Sequence, residues 1–232
     1  MKYTYMKGLS HGVPIALGYF SVSFGFGILA VNSGLPIWSA VLISLSNLTS
    51  AGQAAGVEII AAAGTLLEMI LTQFVINLRY ALMGFSLSQK LDRSFTTPRR
   101  LVLSFGITDE VFAVAASQKG KISSRYLLGL ITLPVVGWTL GTLLGAVAGN
   151  VLPSQIANAM GIVLYGMFLA IIIPPARENR KVLAVISLAA GLSLVCKYAL
   201  PFISAGFAII ISGVVASVVG AAFFPMEQEE SA

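Results

Sequence analysis

Apolar residues run in stretches near 12–31, 37–55, 57–88, 101–118, 125–149, 154–174, 181–196 and 199–224. Most approach or exceed the roughly 20 residues that a helix needs to cross a bilayer core. Turn-forming residues separate them: Gly34-Leu35-Pro36, Asn150 to Pro153, Pro174-Pro175 and Pro201. The third stretch is longer than one crossing requires and encloses Asn77-Leu78-Arg79, whereas the fourth is short and carries Asp109-Glu110. The pattern predicts an all-α polytopic helical membrane protein, with about six full crossings plus two broken or re-entrant helical segments.

Composition makes water an unsuitable solvent for most of the chain. Hydrophobic residues are 57% and charged residues 10%, with a mean hydropathy of +0.91; soluble domains carry roughly 25% charged residues. A single integral membrane domain is expected over 1–232, embedded over 12–224 and ending in an acidic cytoplasmic tail, 225–232. One histidine, His11, and one cysteine, Cys196, provide no internal disulfide and no Cys or His ligand set. No metal and no cofactor is therefore expected. Met1–Lys7 and the apolar run after it outline a signal peptide, but there is no A-x-A site and further spans follow. The segment reads as a retained first helix.

The net charge of +5 does not indicate nucleic acid, because the basic residues sit in short clusters between apolar runs, as in cytoplasmic loops. If every stretch crosses with the N-terminus inside, Lys90, Arg93, Arg99, Arg100 and Lys197 lie outside. If the second and fourth stretches instead enter and leave on one side, only Lys197 does. The positive-inside rule prefers the second arrangement. Both place the two termini in the cytoplasm.

Gly137, Gly141, Gly145 and Gly149 recur every four residues, and Gly206, Gly213 and Gly220 every seven. Each set makes a ridge for close helix packing, or alternatively a sliding surface or the seat of a second subunit. Trp38 and Trp138 are read as interfacial anchors.

Polar residues within the apolar stretches carry the candidate chemistry. Ser44 to Gly56 includes Ser46, Asn47, Thr49, Ser50, Gly52 and Gln53. A helix broken near Ala51-Gly52 would present unpaired backbone ends, its N-terminus suited to a carboxylate; the alternative is an intact helix whose hydroxyls bond back to its own carbonyls. In Asn77-Leu78-Arg79-Tyr80, a guanidinium at bilayer depth costs roughly 2.5–3.5 kcal/mol and demands a partner or a wet cavity. Glu68, Asp109 and Glu110 are candidate partners, and so is a substrate carboxylate; the alternative is a structural ion pair or an Arg snorkelling to the cytoplasmic interface. Thr108-Asp109-Glu110 places two adjacent acids where they resist ionising together, as a proton-coupling site requires; they also suit Arg79 or a substrate ammonium. Glu58 and Glu68, ten residues apart on the third helix, can share one face; alternatively Glu58, directly after the proposed break, sits at an interface in water, the reading preferred for it.

Pro14 to Gly27, Ser44 to Gln53, Asn77-Leu78-Arg79-Tyr80, Ile107-Thr108-Asp109-Glu110-Val111-Phe112-Ala113 and Trp138 to Gly145 appear in that order. Together they resemble the AzlC-type large subunit of branched-chain amino acid exporters, from about Gly12 to Ala222. Tyr80 stands where that family usually has His, and Ala54-Ala55 where Ala-Gly and an aromatic usually follow the Gln. The resemblance implies an inner-membrane permease for leucine, isoleucine, valine or methionine. It also implies a small AzlD-type membrane partner and coupling to protons.

The resulting expectation is a secondary transporter exporting small apolar amino acids. Its carboxylate subsite would lie among Ser46, Asn47, Thr49, Ser50, Gly52 and Gln53, with Asn77, Arg79 and Thr108 nearby, and Asp109 or Glu110 would carry the proton. A channel or passive pore for a small polar or amphoteric solute is the alternative, and a non-transporting assembly subunit a further one. An intramembrane enzyme is disfavoured: the chain has one histidine and no His-Glu-x-x-His.

Overall fold

The computed structural model describes residues 3–152, 155, 166, 169 and 172–224. Most of the apolar stretch at 154–174 and the whole acidic tail at 225–232 lie outside them. The described helices, in chain order, are α1 (Tyr5–Asn32), α2 (Ile37–Ser46), α3 (Ser50–Ala61), α4 (Leu66–Ser88), α5 (Thr97–Ser104), α6 (Asp109–Ser117), α7 (Ser124–Val151), α8 (Arg180–Ala199) and α9 (Ala205–Phe223). Among the described residues, five of these (α1, α4, α7, α8 and α9) are long and apolar enough to cross a membrane. Packing divides the chain into two compact units, 1–57 with 77–165, and 58–76 with 166–232.

In the first unit, α1 and α7 form a parallel pair. Gly137 lies against Ala16, Gly141 against Phe20, Gly145 against Phe24 and Gly149 against Ile28, so each advance of four residues on one helix matches four on the other. A methyl on Gly137 would sit 2.6 Å from the Ala16 carbonyl oxygen, so only glycine lets the backbones come this close. The glycine ridge of α7 thus serves packing within the chain. Both helices have 28 residues, about 42 Å at 1.5 Å per residue. They provide a depth scale for the shorter elements.

The helices α2 and α3 have 10 and 12 residues, about 15 and 18 Å, half of a roughly 30 Å hydrocarbon core each. Ser44 of α2 bonds Thr142 at 2.7 Å and receives the Gln53 amide of α3 at 3.0 Å. Further out, Ala40 and Val57 share one cluster with Ala30 and Leu35. Pairing of 44 with 53 and of 40 with 57 is an antiparallel hairpin. It enters at the Asn32 end of α1, turns at Asn47–Thr49 and returns. Leu48 at its tip packs with Ile15, Tyr19 and Trp138.

A second hairpin enters from the opposite end. Pro98 and Arg99 of α5 share a cleft with Ser124 and Arg125 at the start of α7. Gly106 lies against Ile131, Glu110 reaches Tyr19, and the chain returns to the Tyr5 end, where the Tyr3 hydroxyl bonds the Lys119 carbonyl at 2.6 Å. Lys90 donates to the Ala116 carbonyl and, at 2.9 Å, to that of Gln118, satisfying carbonyls at the end of α6. The loop before α5 is tied to the same end by Asp92 N to Ile122 O at 3.0 Å and by the Ser94–Ser124 hydroxyl pair at 3.0 Å. Lys7, Lys90, Arg93, Arg99, Lys121 and Arg125 therefore gather at one end, as the re-entrant arrangement requires. Cysteines replacing Arg93 and Lys121, both exposed, are expected to react with an impermeant maleimide from the same side of the membrane. Labelling from opposite sides would contradict this hairpin.

The structure corrects several expectations. The first break falls at Asn47–Thr49 rather than at Ala51-Gly52, because Thr49 Oγ1 caps the new helix by accepting the Gly52 amide at 3.3 Å. The 57–88 stretch is two helices. At the end of α3, Gly64 N bonds Ile59 O at 2.8 Å around a left-handed Ala63 (φ 50°), a helix-terminating motif that usually uses glycine. Glu58 and Glu68 consequently lie on different helices. Trp138 is no interfacial anchor: it is 2% exposed and bonded to Gln53. Trp38, at the start of α2, is exposed.

In the second unit, Glu68 is buried in the first turn of α4. Its carboxylate accepts the Ser204 hydroxyl and, at 2.9 Å, the Gly206 amide. It thereby caps α9 at its N-terminus, the end a negative charge favours. α8 packs along α9, where Gly220 faces Val185; Gly213 has open space around it.

Candidate functional site

Between the two hairpin tips lies an open cavity of about 200 Å³, lined by Ser46, Asn47, Leu48 and Thr49 from the first and Ser104, Phe105, Ile107 and Thr108 from the second. Asn77 and Tyr80 of α4 complete it. Each tip breaks a helix for a local reason. Asn47 takes extended dihedrals (φ −148°, ψ 110°) and its side chain accepts the Thr49 amide at 3.4 Å, an Asx turn that competes with helix. Thr108 is extended as well and caps α6 by accepting the Val111 amide at 3.4 Å. Backbone irregular at this depth must line protein or a cavity, since lipid cannot satisfy it.

Both α3 and α6 begin at this cavity, so the positive ends of two helix dipoles converge on it. Their side-chain charge differs. The first turn of α6 carries Asp109 and Glu110, while that of α3 carries no acid. One wall is therefore electropositive through its backbone, and the other is acidic.

Beside the cavity, Arg79 Nη1 lies 2.9 Å from Asp109 Oδ2, with side chains 46% and 42% exposed. The guanidinium also bonds the Tyr80 hydroxyl at 3.2 Å and lies over its ring at 4.9 Å. Of the three acids considered for Arg79, the structure selects Asp109. Half-exposed, the pair is open to exchange with a charged solute, whereas a fully enclosed pair would have to be broken in a dry interior. Glu110 turns the other way and accepts the Tyr19 hydroxyl.

The predicted residues divide in two. Ser46, Asn47, Thr49, Asn77 and Thr108 line the cavity; Ser50 and Gly52 form the start of α3, and Arg79 and Asp109 stand alongside. Gln53 lies elsewhere: 1% exposed, it receives the Trp138 indole N–H at 3.0 Å and donates to Ser44 at 3.0 Å. With Ser44–Thr142, this chain of bonds holds the first hairpin to α7. Tyr19 was not among the predicted residues. It links Glu110 to an edge-on contact with Trp138 at 5.1 Å, and a lone tyrosine inside an apolar span was the only signal for it.

Five long apolar helices and two opposed half-span hairpins define a multi-pass membrane protein with discontinuous helices at mid-depth. The chain belongs to the AzlC family: residues 14–152, which contain both hairpins, match the family described as AzlC protein. It is 32% identical to an uncharacterized membrane protein of Archaeoglobus fulgidus over 79% of this chain and 80% of that one. It is 25% identical to inner membrane protein YgaZ of Escherichia coli K12, over 85% and 84% respectively. An uncharacterized membrane protein of Helicobacter pylori 26695 is 28% identical over 60% of this chain and 62% of that one. No solved structure matches the chain.

Proposed function

We propose that this chain is the large subunit of a two-subunit secondary transporter in the cytoplasmic (inner) membrane, exporting branched-chain or other small apolar amino acids in exchange for protons. The observation that carries the proposal is the cavity between opposed hairpin tips. Discontinuous helices meeting at mid-membrane are the recurring substrate-site geometry of secondary transporters. A volume of about 200 Å³, below the roughly 300–1,000 Å³ of drug-sized sites, suits a small solute. An amino acid brings one charge of each sign. Its carboxylate is assigned to the start of α3 and Arg79, its ammonium to Asp109, so the substrate replaces an ion pair already present. Asp109 is the coupling acid, with Glu110 beside it. The basic end of the first unit is assigned to the cytoplasm by the positive-inside rule, and both termini are assigned to the same side. The second subunit is the small AzlD-type membrane protein that the family resemblance implies.

The test is efflux of labelled leucine from cells or vesicles containing this chain with its small partner, under a proton gradient. Accumulation against the leucine gradient, abolished by an uncoupler, is the expected result. Equilibration without accumulation, insensitive to uncoupler, would make the protein a pore.

A further inference from the structure

A second charged hollow lies away from the hairpin tips, at the Tyr5 end of α7. It has a volume of about 760 Å³, and its wall includes Arg99, Lys121 and Arg125 against one acid, Asp92. Asp92 is turned onto its own loop, where its carboxylate accepts the Ser94 amide at 2.8 Å. Arg99 is aimed by a bond from Nη1 to the Ser94 carbonyl at 2.9 Å. Among the described residues the ion pair is Arg79–Asp109, so none of these three cations is in ion-pair contact with a described acid.

Arg99 and Arg125 also form the rim of an adjoining cleft of about 340 Å³, whose wall continues through Val102, Leu103 and Leu128. Val102 is 68% and Leu128 45% exposed. Both lie about one helical turn deeper than the arginines, toward the apolar middle of the unit. The basic hollow and the apolar groove between α5 and α7 thus share Arg99, Ser124 and Arg125 in their walls. Loop cations that served only to orient the chain would need no such groove.

We propose that this is a binding site for an anionic phospholipid. The phosphate sits between the Arg99 and Arg125 forks, which match its oxygens bidentately. The headgroup extends toward Lys121, and one acyl chain lies along Val102 and Leu128. Charge complementarity selects an anionic lipid over a zwitterionic one, whose own ammonium would be brought among three cations. α5 is one arm of the second hairpin, so a lipid here braces the hairpin where it enters the membrane. This inference does not depend on what the protein transports.

The test uses the purified, delipidated chain in detergent, with phosphatidylglycerol, phosphatidylcholine and inorganic phosphate as probes. Phosphatidylglycerol is expected to raise the thermal midpoint and to survive as an adduct in native mass spectra, phosphatidylcholine to do neither. Arg99→Gln and Arg125→Gln should each weaken phosphatidylglycerol about fivefold, the scale of one basic residue at a membrane surface. Should either variant fail to insert, Lys121→Gln in the loop carries the same expectation. Equal retention of both lipids, or wild-type affinity in these variants, would overturn the proposal. Displacement of phosphatidylglycerol by an equal concentration of inorganic phosphate would overturn it too, by identifying a free-anion site.

Discussion

Asp109→Asn is expected to reduce leucine export at least about 30-fold, toward background, with the chain still inserted at wild-type level. The amide is nearly isosteric with the carboxylate, and the Thr108 cap that starts α6 does not use it. What is lost is charge: Arg79 loses the acid 2.9 Å away and, on the proposed mechanism, the substrate ammonium loses its counter-ion and no proton can be carried at this position. Truncating one partner of a close charge pair costs about 2–5 kcal/mol, and the lower end applies because the pair is half-exposed. Asp109→Glu, which keeps the charge one methylene further out, should recover part of the rate. Export measured with a proton gradient in place decides the matter. Full activity in Asp109→Asn would remove this residue from coupling.

The second large effect belongs to packing. Gly145→Val should eliminate folded protein, read as loss of the monodisperse peak in detergent and of the thermal transition. A Cβ there would overlap the backbone of Phe24 on α1. Backbone cannot rotate aside as a side chain does, so the cost exceeds the roughly 1–3 kcal/mol of ordinary overpacking. The parallel α1–α7 pair would have to separate, and both hairpins are fastened to it. Gly18→Ala provides the control: it is a helical glycine with nothing within 4 Å of the added methyl, so higher helix propensity should leave stability unchanged or raise it by about 0.5–1 kcal/mol. A folded, active Gly145→Val would show that the two helices can part without loss of the fold.

Much of this arrangement was legible as one-dimensional pattern. Lys90, Arg93, Arg99 and Arg100 alone indicated that the second and fourth apolar stretches do not cross, because a charge distribution reports which loops share a side. The density of Ser, Asn, Thr and Gly around position 48 indicated a break, though not its position. That depended on which hydroxyl captured an amide, and Thr49 did so ahead of the glycines. The division of 57–88 was missed because its stop signal is a left-handed alanine, Ala63, where glycine is the usual mark. Trp138 was misread for a related reason. Its indole looks interfacial by type, but its N–H is satisfied in the interior by Gln53, a partner far away in sequence.

By itself, then, the sequence determined the solvent, which basic loops share one end and the presence of polar groups where lipid penalises them. These are properties of composition and spacing, which a bilayer reads segment by segment. Only the tertiary structure decided which charges pair. Arg79 had Glu68, Asp109 and Glu110 within plausible reach; packing gave it Asp109, turned Glu110 to Tyr19 and used Glu68 to cap α9. Contacts between residues far apart in the chain depend on where two hairpin tips meet, and no local pattern along the chain fixes that meeting.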